Sequence, residues 1–256
     1  MTRPYLIWPL KFSPDAPAMI DFYRRLGLQL AFSHDSATFA TFNGRAGTLG
    51  VHDANNTASG KVVGHTALNL ATDDIERAVE ELATLGLDVK IWDETYGKQG
   101  VVRAPDGRVI GLNETSQEDL YGGYHVHEAE ATPTLDVVAV CGTHDMRAEA
   151  AFFGSFGFTA PLYDDPWWIA LRAGDRSGVI GIHAGEPETR TPRPENDLFG
   201  PPYEVRIGFE THLDLEQETD RLRTAGFDLA LISEGRVPRI VLTDPDGDEI
   251  EIHPAP

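Results

Sequence analysis

Apolar residues recur along the chain in two periods, first that of a strand and then that of a helix. Tyr5 to Phe12 is an apolar run of strand length, after which Met19, Ile20, Phe22, Tyr23 and Leu26 fall at helical spacing and stop at Gly27. Leu28 to Ser33, Thr38 to Phe42 and Thr48 to His52 follow as short strands, separated by Asn, Asp and Gly turn residues. A strand over Gly64 to Leu70 then leads to Asp73 or Asp74 as a helix cap, and Ile75, Ala78, Val79, Leu82 and Leu85 form one apolar helical face. Pro105-Asp106-Gly107 predicts a hairpin turn, because proline presets one central dihedral and glycine accepts a positive one.

The pattern repeats. Thr84-Leu85-Gly86-Leu87-Asp88-Val89 recurs as Thr224-Ala225-Gly226-Phe227-Asp228-Leu229, and Pro105-Asp106-Gly107 recurs in the same register as Pro245-Asp246-Gly247. Phe22-Tyr23 and Gly27 answer Phe152-Phe153 and Gly157, and Leu49-Gly50-Val51-His52 answers Ile180-Gly181-Ile182-His183. A repeat fixes fold class more firmly than local propensity does. The expected architecture is α+β: four βαβββ modules forming two domains, residues 1–116 and 134–256, with curved, cup-like mixed sheets. Residues 117–133 are polar and predict a linker. The Pro- and Glu-rich loop 185–202 is either a cover over a pocket in the second half or an unstructured insertion. Two pairings of the modules are open, within each half or exchanged between halves.

Charge narrows the partners. The 41 Asp and Glu against 21 Lys and Arg give a net charge of -20, which repels phosphate backbones and anionic membrane surfaces. Neither nucleic acid nor a membrane is an expected partner. Residues 1 to 10 lack a signal-peptide pattern, no apolar run reaches spanning length, and the lone Cys141 lies in an apolar run as a buried filler thiol, so the expected compartment is the cytoplasm.

Phe22, Tyr23, Leu26 and Gly27 closing a helix, Gly64-His65-x-Ala67-Leu68 opening a strand, and Asp244-Pro245-Asp246-Gly247 in a closing hairpin together resemble the vicinal oxygen chelate superfamily. It contains glyoxalase I, bleomycin-resistance proteins and extradiol dioxygenases. The resemblance implies metal ligands on the first strand of a module (His) and on its last (Glu or His). Carried over residue by residue, the first-strand positions fall near Trp8, on His65, near Val138 and near Val205. The last-strand positions fall near Gly50, Gly111 and Gly181, and on Glu251. Only His65 and Glu251 there can bind an ion, so no metal is expected. A shifted site with Fe, Ni, Mn or Zn is the alternative, with His52, His183 and His253 each two residues from a ligand position. Paired within halves, His52 would meet His65, and His183 would meet His253 and Glu251; exchanged between halves, His52 would meet Glu251 and His253 instead.

Without a metal, a concave sheet with aromatic walls binds flat or apolar organic molecules by burial and stacking. The expected ligand-binding residues are Trp8, His52, His65, Trp92, Tyr96, Trp168, His183 and Glu251. Only one of Trp167 and Trp168 can face the cup, the other entering a sheet–helix interface. Glu251, Asp164, Asp165 and Glu204 are candidate rim charges for a basic ligand. The expected function is therefore binding of a small organic molecule in a cup. The alternative is a metal-dependent lyase, isomerase or dioxygenase, with His65 and Glu251 as candidate catalytic groups. Duplication supplies paired modules within one chain, so the expected state is a monomer or a homodimer.

Overall fold

The computed structural model describes residues 5–56, 63–94, 97–115, 122–129, 132–187, 189, 203–234 and 237–256. Four modules follow one another. The first is β1 (Leu6–Ser13), α1 (Ala16–Leu26), β2 (Gln29–His34), β3 (Phe39–Asn43) and β4 (Thr48–Asp53). The second is β5 (Thr66–Thr72), α2 (Ile75–Thr84), β6 (Lys90–Glu94), β7 (Gly97–Arg103) and β8 (Val109–Glu114). After β9 (Tyr124–Val126), the third is β10 (Leu135–Thr143), α3 (Met146–Gly154), β11 (Ala160–Asp164), β12 (Trp168–Arg172) and β13 (Val179–Ala184). The fourth is β14 (Arg206–Thr211), α4 (Leu215–Thr224), β15 (Leu229–Ile232), β16 (Arg239–Thr243) and β17 (Glu249–Pro254).

Local chemistry sets the helix ends. An aspartate caps each helix start: Asp15, Asp74, Asp145 and Asp214 each accept a hydrogen bond from a first-turn backbone N–H. Gly27 ends α1 at φ 102°, in the left-handed region that a Cβ disfavours. No helix among the described residues is long and apolar enough to cross a membrane.

Modules pair within halves. In each module the first strand runs parallel to the last, and the two first strands of a half join antiparallel, β1 to β5 and β10 to β14. The result is a nine-stranded sheet, β6-β7-β8-β5-β1-β4-β3-β2-β9, and an eight-stranded one, β11-β12-β13-β10-β14-β17-β16-β15. Part of the expected linker is thus a strand, since β9 pairs with β2 through Phe32, Ser33 and His34. Its Tyr124 packs on Phe32 and Phe39.

The helix-bearing faces of both sheets share one apolar core, with Ile7, Tyr23, Phe42 and Leu112 from the first half and Val137, Phe153, Phe209 and Ile252 from the second. Phe22 meets Phe227 edge-on at 5.3 Å, and Tyr5 meets Phe156 at 5.2 Å. The opposite, concave faces carry separate small apolar clusters.

The two halves also exchange hairpin turns. The β16–β17 turn, Asp244 to Asp248, docks on β1, where the buried Lys11 ammonium meets the carboxylates of Asp244, Asp246 and Asp248. Ser13 Oγ donates to Asp246 Oδ1 at 2.8 Å. The β7–β8 turn docks on module three in the same way. Asp106 N donates to Glu149 Oε1 at 3.3 Å, and Arg108 Nη2 donates to Gly142 O at 3.0 Å. Burial pushes the neighbouring Cys141 thiol up to about 11, so it is inert as a nucleophile.

Removing one partner of a buried ion cluster strands the remaining charges, so Lys11→Met is expected to lower unfolding free energy by about 3–5 kcal/mol in urea titrations. Glu149 gives a second test. Burial, then the nearby Asp106 charge, raises its carboxyl from 4.5 to about 7. The folded chain therefore keeps a proton that the unfolded chain releases, and stability falls as pH rises from about 4.5 to 7. Glu149→Gln should flatten that part of the stability–pH curve; an unaltered curve would refute the assignment.

Candidate functional site

Strand register decides which side chains share a concave row. Leu10 lies opposite Gly50, Asn69 opposite Gly111 and Val140 opposite Gly181, and Gly208 lies opposite Glu251, one step before the Phe209–Ile252 pair. Gly50, Gly111, Gly181 and Glu251 are thus equivalent, as the repeat predicted. Two residues earlier on the first strands, the equivalent positions are Trp8, Ala67, Val138 and Arg206. Two sequence assignments change. Ala67, not His65, is the counterpart of Trp8, and Val205 points into the shared core while Arg206 faces the cup.

In three modules this row is filled by the chain itself. A methyl group at Gly50 would meet Leu10 Cδ1 at 2.6 Å and Trp8 Nε1 at 2.8 Å; one at Gly111 would overlap Asn69 Oδ1, and one at Gly181 the Trp168 ring. Trp8 is buried with Phe32 and Phe39 in the first cup. Module four reverses the arrangement. Its first strand carries the glycine, and a methyl at Gly208 would meet only Glu251 O at 3.4 Å and Val138 Cβ at 4.0 Å. Among the described residues, room for at least a methyl group therefore lies at Gly208, between Val138 and Glu251.

The polar groups at this gap are mutually engaged. Arg239 Nε donates to Glu251 Oε1 at 2.6 Å, and His253 Nε2 donates to Glu251 Oε2 at 3.0 Å. The His253 hydrogen bond, ahead of the opposing cost of burial, holds the Glu251 carboxyl below its ordinary range, so the carboxylate is ionised. Apolar residues continue the cup: Val138, Ala170 and Val179 are buried, with Val140, Leu162 and Trp168 packed against them.

The histidines do not converge. His52 and His65 flank Phe12, with ring centroids 5.5 Å and 6.4 Å from its own, so an aromatic ring lies where a shared ion would have to sit. Burial lowers the His52 pKa, and its Nδ1 bonds Asp53 O at 2.9 Å. His183 is exposed beside Trp168 and level with Gly142, whereas Glu251 is level with Gly208 and Val138. That offset is four residues, roughly 13 Å at the usual strand rise, with about 14 Å more across three strand spacings. His183 therefore cannot meet Glu251 or His253.

The remaining candidates are dispersed. Trp92, on the edge strand β6, shares a row with Gln99 and Asn113. Tyr96 lies outside the described residues, as does most of loop 185–202. Trp168 faces the cup, but Trp167 is 62% exposed and enters no interface, because it precedes β12 in a turn whose N–H groups Asp165 accepts. The expected rim acids are also engaged: Asp164 pairs with Arg147, and Glu204 lies 3.7 Å from His65.

These residues do not fit a three- or four-ligand metal ion. Of the equivalent row, Glu251 alone offers a charged donor, and both its oxygens are taken. Among the described residues no group of three or more His, Cys, Asp or Glu is arranged to hold an ion.

Parallel first and last strands, paired modules and concave rows of this kind define the vicinal oxygen chelate fold. Residues 7–112, less than half of the chain, match the family model described as Glyoxalase/Bleomycin resistance protein/Dioxygenase superfamily. The chain is similar in structure to catechol 2,3-dioxygenase (TM-score 0.61, 12% identity, covering 100% of this chain and 91% of that one). It is also similar to the Mn(II)-bound glyoxalase from Novosphingobium aromaticivorans (0.59, 14%, 99% and 82%). A third likeness is to a xylose isomerase-like TIM barrel/4-hydroxyphenylpyruvate dioxygenase fusion protein (0.56, 14%), with 97% of this chain covering 48% of that protein's length. At these identities the likeness is one of fold. No curated protein matches the chain in sequence.

The packing of Trp168 over Gly181 gives a direct test. Gly181→Ala should displace the indole, cost about 1–3 kcal/mol by overpacking, and shift tryptophan emission to the red. A variant with unchanged stability and emission would contradict the filled row.

Proposed function

We propose that the protein binds a small organic molecule in the concave face of its second half, at the gap between Val138, Gly208 and Glu251. The single observation behind this is the contrast among four equivalent places. Leu10 and Trp8, Asn69, and Trp168 occupy three of them, and at the fourth an added methyl meets only ordinary contacts. An apolar wall of Val138, Val140, Leu162 and Trp168 beside an ionised, oriented carboxylate suits a ligand with an apolar body and a polar substituent. The acidity of the chain does not select a basic ligand, since the expected rim carboxylates are already engaged: Glu251 and Asp164 by arginines, Asp165 by backbone N–H groups and Glu204 beside His65.

A metal-dependent reading, as the Mn(II)-bound glyoxalase suggests, has less support here. Binding an ion at Glu251 would require breaking its contacts with Arg239 and His253. His65, beside Phe12 and 3.7 Å from Glu204, stands off the equivalent row and away from the gap at Gly208.

Filling the gap tests the proposal. The unmodified protein should gain thermal stability from a subset of aromatic and branched aliphatic compounds, by RT ln(1 + [L]/Kd). Gly208→Leu should abolish that gain while leaving the unliganded melting temperature within a few degrees, because strand position 208 has room for a Cβ. Ligand shifts that survive the substitution would place binding elsewhere. Elemental analysis of purified protein showing stoichiometric transition metal that is lost in Glu251→Gln would favour the metal reading instead.

A further inference from the structure

At one end of the same cup, five ionisable side chains from both halves meet. Asp136, on β10, is fully buried. Its Oδ2 accepts from Arg45 Nη2 at 2.6 Å, Arg172 Nη2 at 2.7 Å and His212 Nε2 at 3.0 Å. Arg172 Nη2 also donates to Glu210 Oε2 at 2.9 Å. Arg45 belongs to the β3–β4 turn of the first half, held there by the Ala46–Asp136 bridge and by Arg45 N donating to Leu135 O. The second cup is therefore completed by the first half of the chain.

The cluster is under-satisfied. Asp136 Oδ1, Arg45 Nε and Arg172 Nε are buried with no hydrogen-bond partner among the described residues. Among the described residues both guanidinium groups reach protein acceptors through Nη2 alone, although each carries five donors. Two arginines fixed by a buried aspartate, each with N–H groups beyond those that Asp136 and Glu210 engage, present a fork suited to a planar oxyanion.

We propose that this cluster recognises the carboxylate of a small organic acid whose apolar body lies over Val138, Val140 and Trp168. The inference rests on the cup reading above and specifies its ligand class. Asp136 is two residues along β10 from Val138, roughly 7 Å, which is about the reach of an aromatic ring bearing a one- or two-carbon acid side chain. The net charge of -20 opposes an anion only weakly. Charges beyond about 10 Å are largely screened at 0.1 M salt, whereas the two guanidiniums act at hydrogen-bond distance.

Calorimetric titration with phenylacetate and 3-phenylpropanoate, their amides, the matching amines, and inorganic phosphate tests this on the full chain. The acids should bind about tenfold or more tightly than the amides, with amines and phosphate weaker still. Arg172→Gln should remove that preference without weakening the amides. Because Arg172 also supports a buried aspartate and its loss can unfold the chain, Arg45→Gln, at a more exposed position, serves as the second variant and should reduce the preference at least threefold. Amides that bind as well as the acids and are lost in Gly208→Leu would overturn the anion assignment and leave the cup reading intact. Acids that bind no better than phosphate would mean a site for free inorganic anions and would equally overturn it. Absence of binding by every compound would remove both.

Discussion

Everything in the concave faces depends on the backbone register between the first and last strands of each module. That register sets Leu10 against Gly50, Asn69 against Gly111, Val140 against Gly181 and Gly208 against Glu251. Because each facing pair has room for roughly one large side chain, a bulky residue on one strand requires glycine on the other. Three modules place the bulk on the first strand or a neighbouring one. The fourth places a carboxylate on the last strand and leaves its partner bare, and that single inversion distinguishes the second cup from the first.

Electrostatics follows the same inversion. An ionised Glu251 in a half-buried cup needs partners, and Arg239 and His253 supply them from the adjoining strand and from its own. Farther along, Asp136 gathers hydrogen-bond donors from three elements. Burial raises the pKa of Glu210 and the Arg172 charge opposes that rise. Although the chain as a whole is acidic, the second cup thus sets Arg172 and Arg239 against its buried and half-buried carboxylates.

Periodicity and turn chemistry made the module plan legible: Gly27, the aspartate caps and the paired Pro-Asp-Gly turns each impose a local backbone choice that tertiary packing did not override. The glycines at 50, 111 and 181 and the buried Trp8 were legible for the same reason. Single-residue register was not, because a shift by one residue exchanges the faces of a strand. Val205 and Arg206 were confused in this way, and His65 was misplaced relative to Ala67 by two residues. The histidine pairings failed because sequence gives no measure of offset across four strands, nor any sign that Phe12 separates His52 from His65. Asp136 did leave a trace, a lone charge inside the apolar run Leu135 to Val140, and Arg172 left another at the end of Trp168-Ile-Ala-Leu. Gly208 left none, since a glycine within a strand gains meaning only from what faces it.

The exchanged hairpins bear on how the duplicated halves recognise one another. By register, the counterpart of Lys11 on β10 is Cys141, and the counterpart of Asp248 after the turn is Arg108. Two copies of the first half docked together would set Lys11 against Arg108, cation on cation. Two copies of the second would bring Asp248 toward Glu149, acid on acid. The halves are therefore non-interchangeable: each repels its own kind at the seam and is complementary only to the other, so fragments cut between residues 115 and 132 would be expected to assemble as a heterodimer and to discriminate against self-pairing.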